Sequence, residues 1–543
     1  MWDQTYTLFG LNLGWSAMIA ALPILVLLLL LGVLRRPAWI AALAGLAAAF
    51  VVALAGYHMP ARLAVSAALD GAAFGLFPIS WIVFWAIALY RLTADTGKFE
   101  IIKDSVGRLT EDRRLQALMI AFAFGAFVEG AAGFGTPVAV AAAMLTGLGF
   151  PPFRAAAICL LANTAPVAFG SIGIPVITLA GTTGLSLAKL SAATGRLCAP
   201  LSLVIPAYLV LAIGGLPALR GCWIPALVTG LSFSTTQFSV SNFIGPQLTD
   251  IVASLVAMVA LVVVSRYWRP ADGEAFVNVS TRAAVQAEES SAPYPRGEVV
   301  LAWLPYGFLV VCVLLWGFKP FAHYLDFATV AFPWPKLHDL IRRMPPITAS
   351  PAPYHAMYTF NALSASGTSC MVATILSAAV LRVTVGRVFS ILASTAYSLL
   401  FPTITVASVL ALAFLLNYCG ATSTYGLFFA ASGVLFPFFS AILGWLGVFL
   451  TGSDTSANAL FGNLQVVTAN RLGMDPVLLA ATNSVGGVMG KMISLQTISI
   501  AAAATGMKTE DQSKLFRFTL RHSMLLAGLV GCLAMLYAYI LHW

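Results

Sequence analysis

Two short stretches place polar side chains where a lipid-soluble chain should carry none. Residues 129–138 read EGAAGFGTPV, a carboxylate, three glycines and a Thr-Pro pair inside a run of Ala, Phe, Leu and Val; residues 452–456 read GSDTS in a similar setting. Hydrocarbon offers no partner for a loose N–H or a charge, so such stretches have to line something polar. Thr136-Pro137 has the form of an N-cap followed by Pro at the first helical position, so a half-helix is expected to begin there. Ser453, Asp454, Thr455 and Ser456 form a second set of capping residues. Asn163-Thr164 ahead of Pro166, and Asn483-Ser484 ahead of Gly486-Gly487, are expected to unwind two more helices in mid-membrane. Helix N-termini present free N–H groups and a partial positive charge, which suits a carboxylate. The predicted binding set is therefore Gly135, Thr136, Asn163, Thr164, Ser453, Asp454, Thr455, Asn483 and Ser484. Small residues also serve simply to pack helices closely, but four patches in two matching pairs favour a site.

Ionisable groups at membrane depth are few. Glu129 and Asp454 are the candidates for proton coupling, since a carboxyl that is charged when empty and neutral when protonated can gate movement through apolar surroundings. Lys491 is the predicted intramembrane cation, either neutralising a bound carboxylate or pairing with Asp454 or Glu129. Arg196 is a second cation, with an interfacial snorkelling role as its alternative. Asp70 and His58 fall near predicted segment ends and read as rim residues, Asn417 and Tyr418 as donors to a hydroxyl, and Phe134 and Phe169 as apolar walls. The seven cysteines are scattered, and no Cys/His spacing suggests a metal site or a disulfide framework. The six histidines lie in loops or near segment ends, so no catalytic set is evident, and no nucleotide-binding motif points to a pump. No cofactor is expected.

The elements that hold these residues follow from composition. Of 543 residues, 60% are hydrophobic and 9% charged, against about 25% charged in soluble domains. Runs of roughly 20 apolar residues recur, as a bilayer crossing needs. The net charge of +9 falls mainly in short loops, where orientation in the membrane accounts for it without nucleic acid. Arg35-Arg36, the cationic segment 91–116, the polar stretch 266–298, Arg382 with Arg387, and the group from Lys508 to Arg521 mark one side. Alternating crossings between them predicts an all-α polytopic membrane protein with about fourteen spans and both termini on the other, periplasmic side. Residues 266–298 divide it into membrane halves 1–265 and 299–543. The segment 388–401 is short for a crossing, and 319–354 reads as an outer Pro-rich loop.

Two segments do not read as plain crossings. Residues 117–148 and 441–470 are each split by their Gly-rich centres into arms too short to span, and are predicted re-entrant hairpins from opposite faces. Each continues into a Gly-x-x-Pro turn (LGFPP at 148–152, LGMDP at 472–476) and then a helix predicted to break, at 154–175 and 477–503. Matching order with opposite insertion is an inverted-topology repeat, an architecture of secondary transporters.

The runs FVEGAAGFGTPVAVAAAMLTGLGFPP (127–152), LANTAPVAFGSIGIP (161–175) and LTGSDTSANALFGNLQ (450–465) resemble the L-lactate permease family. That family comprises bacterial inner-membrane transporters of lactate and glycolate. The resemblance implies proton symport of short 2-hydroxymonocarboxylates (L-lactate, D-lactate, glycolate), with membrane lipid around the chain. Residue roles stay with the chemistry above. Sodium coupling remains the alternative, because Asn, Ser, Thr and carbonyl oxygens at a broken helix also hold Na⁺; an anion channel is the other. Oligomeric state is left open between monomer and homodimer.

Overall fold

The computed structural model describes residues 1–107, 110, 112–133, 135–268 and 294–541. Phe134 and most of the linker expected at 266–298 lie outside them. Eleven described helices are long and apolar enough to cross a membrane, or twelve if the bent pair Pro152–Ala162 and Val167–Thr183 forms one span. The sequence suggested about fourteen. The count turns on how bent runs are divided: Leu187–Phe243 turns at Gly214 and Gly215 and folds back on itself, Ser191 bonding Ser241 O at 2.8 Å and Ser234 bonding Ala199 O at 2.7 Å, while 388–401 belongs to the continuous helix Val385–Cys419 around Pro402.

Burial separates these helices into two groups. In the most apolar stretches of Leu13–Val33, Ala38–Gly56 and Glu510–Tyr539 only 33% of residues are buried by protein, whereas Arg113–Ala131 is buried throughout and Pro476–Thr505 reaches 78%. Exposed Leu, Val and Met on the first group form the face that lipid would cover; the second group is the protein's interior. That interior group supplies one arm of the first expected hairpin and the second expected broken helix, whereas the arm Phe436–Thr451 of the second hairpin belongs to a run only 39% buried.

The arms of the first hairpin are Arg113–Ala131 and Thr136–Gly147, and those of the second are Phe436–Thr451 and Asp454–Leu472. Their bases lie on opposite faces. Thr468 on the second hairpin bonds Gly426 O at 3.0 Å, and Thr424 nearby bonds Tyr6 O, so this base shares a face with the N-terminus. The first hairpin's base sits with the other loops, where the Arg113 guanidinium lies over Phe150. Between Ala162 and Gly170 the first broken helix turns through 63°.

The second broken helix differs from expectation. Pro476–Lys491 is continuous through Asn483, Ser484, Gly486 and Gly487, and the chain breaks only at 492–494 before Leu495–Thr505. The glycines serve close packing instead. A Cβ on Gly486 would collide with Ala441 O, one on Gly490 with Trp445 O, and one on Gly444 with Asn483 O. Small residues on both sides thus let the helix and the hairpin arm meet backbone to backbone.

The loop 319–354 also carries three short strands where the sequence suggested only loop, and they pair with two more, one at the N-terminus and one just past the loop. Strands β1 (Trp2–Asp3), β3 (Ile341–Arg343) and β4 (Ala352–Pro353) form one sheet, with β1 parallel to β3; β2 (Thr329–Pro333) and β5 (Met357–Asn361) form an antiparallel pair. The two-oxygen contact of Asp3 with Arg342 (2.7 and 2.9 Å) fastens the N-terminus to this loop.

Candidate substrate site

Both hairpin tips border one cavity of about 270 Å³. Each tip turns on glycine with positive φ, a conformation that costs glycine little: Gly133 (62°) and Gly135 (83°) in the first, Gly452 (73°) in the second. In the first tip Gly135 is the N-cap, with Thr136 and Pro137 inside the helix, and no side chain caps it; the expected Thr136 cap is not made. The turn itself takes up the first helical donor, the Thr136 N–H bonding Gly133 O at 3.0 Å. In the second tip Ser453 alone caps, accepting from the Ser456 N–H at 3.2 Å.

The N-termini of Thr136–Gly147, Asp454–Leu472 and Leu495–Thr505 all open on the cavity, through Gly135, residues 453–456, and Gln496 with Thr497. Gly170, Ser171, Ile174 and Pro175 of the first broken helix supply another wall. There Ser171 and Ile172 adopt left-handed φ values of 48° and 60°, with the Ser171 hydroxyl donating to Ala132 O at 3.0 Å. Such conformations cost about 1–3 kcal/mol each, so the surroundings must hold this bend. Val167, Val406 and Ile500 supply apolar wall. Trp39 and Phe401 stack at 5.4 Å along one side.

Charge enters this space at three points. Lys491 Nζ donates to Glu129 Oε1 at 2.9 Å, with the side chains 11% and 3% exposed. Both residues line the cavity, and Glu129 Oε2 has no partner among the described residues. Asp454 also lines it. Its Oδ2 accepts from Ser484 (2.7 Å) and Asn458 (3.3 Å), while Oδ1 has no partner among the described residues. Its carboxylate is therefore turned into the protein, and capping falls to Ser453.

Of the predicted binding set, Gly135, Ser453, Asp454, Thr455, Lys491 and Glu129 meet at the cavity. The others stand off it. Ser484 and Asn483 lie one layer behind: Asn483 bonds Asn458 (3.0 Å) and receives Gln465 (3.1 Å). Thr136 points elsewhere, Thr164 bonds back to Leu161 O, and the buried Asn163 amide has no hydrogen-bond partner among the described residues. Phe169 is fully buried off the cavity. Arg196 binds Asn242 at 2.9 Å, away from the site. Asp70, expected at a rim, is buried and approached by Tyr418 at 3.5 Å, whereas His58 is exposed as expected. Asn417 borders a second cavity, of about 540 Å³, on the N-terminal face, together with Arg343 and Arg471.

Two residues were missed. Asn458 donates to Pro175 O (3.2 Å) and so ties the second hairpin to the first broken helix; with Asp454 and Gln465 at i, i+4 and i+11, the polar face of this helix was readable. Asp250 is 1% exposed, with neither carboxylate oxygen partnered among the described residues. It packs on Gly130, where a Cβ would lie 2.9 Å from that of Asp250. A lone carboxylate heading the apolar run 249–265 was the available signal.

A bundle of apolar helices with re-entrant hairpins whose half-helices end at a buried polar cavity is the build of a multi-pass membrane transporter. The L-lactate permease profile matches residues 16–541, and the chain belongs to that family. The glycolate permease GlcA of Escherichia coli K12 is 43% identical over 99% of this chain and 98% of its own. The L-lactate permeases of Bacillus subtilis and E. coli K12 are 42% and 40% identical, each over 100% of this chain and 99% of theirs.

Proposed function

We propose that this chain carries short 2-hydroxymonocarboxylates, lactate and glycolate, into a bacterial cell across the inner membrane by proton symport. The reading takes its substrate class from relatives named for lactate and glycolate. Its mechanism rests on one observation, the Lys491–Glu129 pair on the cavity wall. Three helix N-termini and one ammonium favour a carboxylate there. Yet that ammonium is held by Glu129, so an incoming anion competes with an internal one. A proton taken by Glu129 cancels its charge and frees Lys491 for the substrate carboxylate. One proton and one anion then enter together, and the net charge of the cavity is the same loaded as empty, which avoids the cost of dragging an added bare charge through apolar surroundings. Gly135, Ser453 and Thr455 offer N–H and hydroxyl donors for the remaining oxygens, and about 270 Å³ lies just below the roughly 300–1,000 Å³ of drug-sized pockets, as a small acid requires.

Both termini are assigned to the periplasm, which places Arg35 and Arg36 inside by the positive-inside rule. Trp39 and Phe401 then border the cavity on its cytoplasmic side, and the 540 Å³ cavity with Arg343 lies outside. Alternating access would open the tips to each side in turn. Proteoliposome uptake of labelled lactate and glycolate tests the whole reading. Accumulation is expected under an inward proton gradient and not under a sodium gradient alone. Uptake driven by sodium without a proton gradient sinks the coupling; no saturable uptake of either acid sinks the substrate.

A further inference from the structure

The sequence showed no metal-ligating spacing, yet the fold brings three candidate ligands together in the loop around β3 and β4. His338 and Asp339 precede β3, and His355 follows β4, so the β3–β4 pairing carries residues sixteen positions apart to one point. One ligand atom from each of the three lies within 4.8 Å of the others. Asp339 spans the pair: Oδ2 is 3.1 Å from His338 Nε2 and Oδ1 is 2.6 Å from His355 Nδ1. Around a tetrahedral ion with bonds of about 2.0–2.1 Å, ligand atoms stand roughly 3.3 Å apart, so small side-chain movements convert these contacts into coordination.

We propose that His338, Asp339 and His355 form a binding site for one divalent transition metal ion, with Zn²⁺ the fitting occupant. Two imidazoles and one carboxylate are ligands that zinc takes, and water would complete the set. The surroundings supply a further feature of such sites. His338 is pinned through Nδ1, which lies 3.1 Å from both the Ala356 carbonyl oxygen and the Ala356 amide nitrogen, so its Nε2 is held facing Asp339. The backbone holds the carboxylate here: the Asp339 N–H donates to Tyr354 O at 3.3 Å, and Asp339 adopts a φ of 56°. His355 and Tyr354 also line the 540 Å³ cavity beside Arg343. A bound ion would clamp that lip and add positive charge to it.

The test uses the full-length chain, purified without a polyhistidine tag. Zn²⁺ binding is followed by titration calorimetry, and Co²⁺ by its visible d–d bands. One equivalent is expected, with low-coordinate bands for Co²⁺. His355→Ala and Asp339→Asn, both at partly exposed side chains, should each weaken binding at least about tenfold, the smallest loss typical even of an outer-shell partner. His323→Ala, in the separate helix Lys319–Leu325, should bind as wild type does. Thermal stability without metal shows whether each variant has folded. The proposal is overturned if folded His355→Ala or Asp339→Asn binds Zn²⁺ as tightly as wild type, or if His323→Ala loses as much. It is equally overturned if wild type binds none, in which case the three residues are only a hydrogen-bonded His–Asp cluster.

Discussion

Replacing Lys491 by Met keeps the length of the side chain and removes its charge. In the folded chain Glu129 would then sit 3% exposed, with its ammonium partner at 2.9 Å gone and Oε2 already unpaired among the described residues. Breaking a buried ion pair from one side costs about 3–5 kcal/mol, because the remaining charge loses its compensation. The double variant Glu129→Gln/Lys491→Met removes both charges, and replacing a whole buried pair by neutral groups is often nearly neutral. Stability should therefore fall in the single variant and largely return in the double, as read by denaturant or thermal unfolding in detergent. Lactate binding should behave differently. Losing a charge-assisted hydrogen bond to the substrate costs about 1.5–3 kcal/mol, roughly 10- to 150-fold in affinity, and the double variant cannot restore it. Lys491→Met as stable as wild type would refute the ion pair. A double variant that binds lactate normally would refute Lys491 as the group that receives the substrate.

Glu129→Gln alone should abolish proton-driven accumulation in proteoliposomes while leaving lactate exchange measurable; concentrative uptake with normal pH dependence would make Glu129 structural. Membrane-impermeant thiol reagents should reach Arg471→Cys and Pro151→Cys, at the bases of the two hairpins, from opposite sides of the membrane, and labelling of both from one side would break the opposed-hairpin arrangement. Gly486→Ala should cost about 1–3 kcal/mol of stability through overpacking against Ala441 O, whereas Gly147→Ala, with open space around it, should cost nothing measurable. Asp250→Asn should leave stability near wild type, since a carboxyl with neither oxygen partnered is not tenable as a bare buried charge; a loss of several kcal/mol would reveal a cation that it serves.

The sequence made the hairpins visible because their glycines and capping residues contradict the hydrocarbon around them, and a local contradiction needs no knowledge of the fold. The same logic misled at Gly486, Gly487 and Gly490. Glycine can mark an unwound turn or a close helix crossing, and only the partner backbone decides; here Ala441 and Trp445, some forty-five residues away, are that partner. The segment 388–401 is a related case: whether Pro402 ends a helix or is carried within one depends on what packs beside it. Asn483 and Ser484 were drawn as substrate ligands because they sit at a conspicuous polar break in sequence. The structure spends them on Asn458 and Asp454, whose positions on the other side of a turn no local pattern reveals.

That second layer bears on why two carboxylates share one small cavity. Asp454 is held by Ser484 and Asn458, and they in turn belong to a chain running through Asn483 to Gln465 and across to Pro175 O. A carboxylate fixed from several directions moves only with its whole network. Among the described residues Glu129 has one hydrogen-bond partner, Lys491, on an element from the other half of the chain. A single contact can be exchanged for another of the same kind, and a substrate carboxylate is of that kind. On the proposed mechanism this asymmetry divides the roles: Asp454 keeps the second tip in shape beside the capped helix, while the Glu129–Lys491 contact, joining the two halves at the cavity wall, is the one that a proton and an anion would open together.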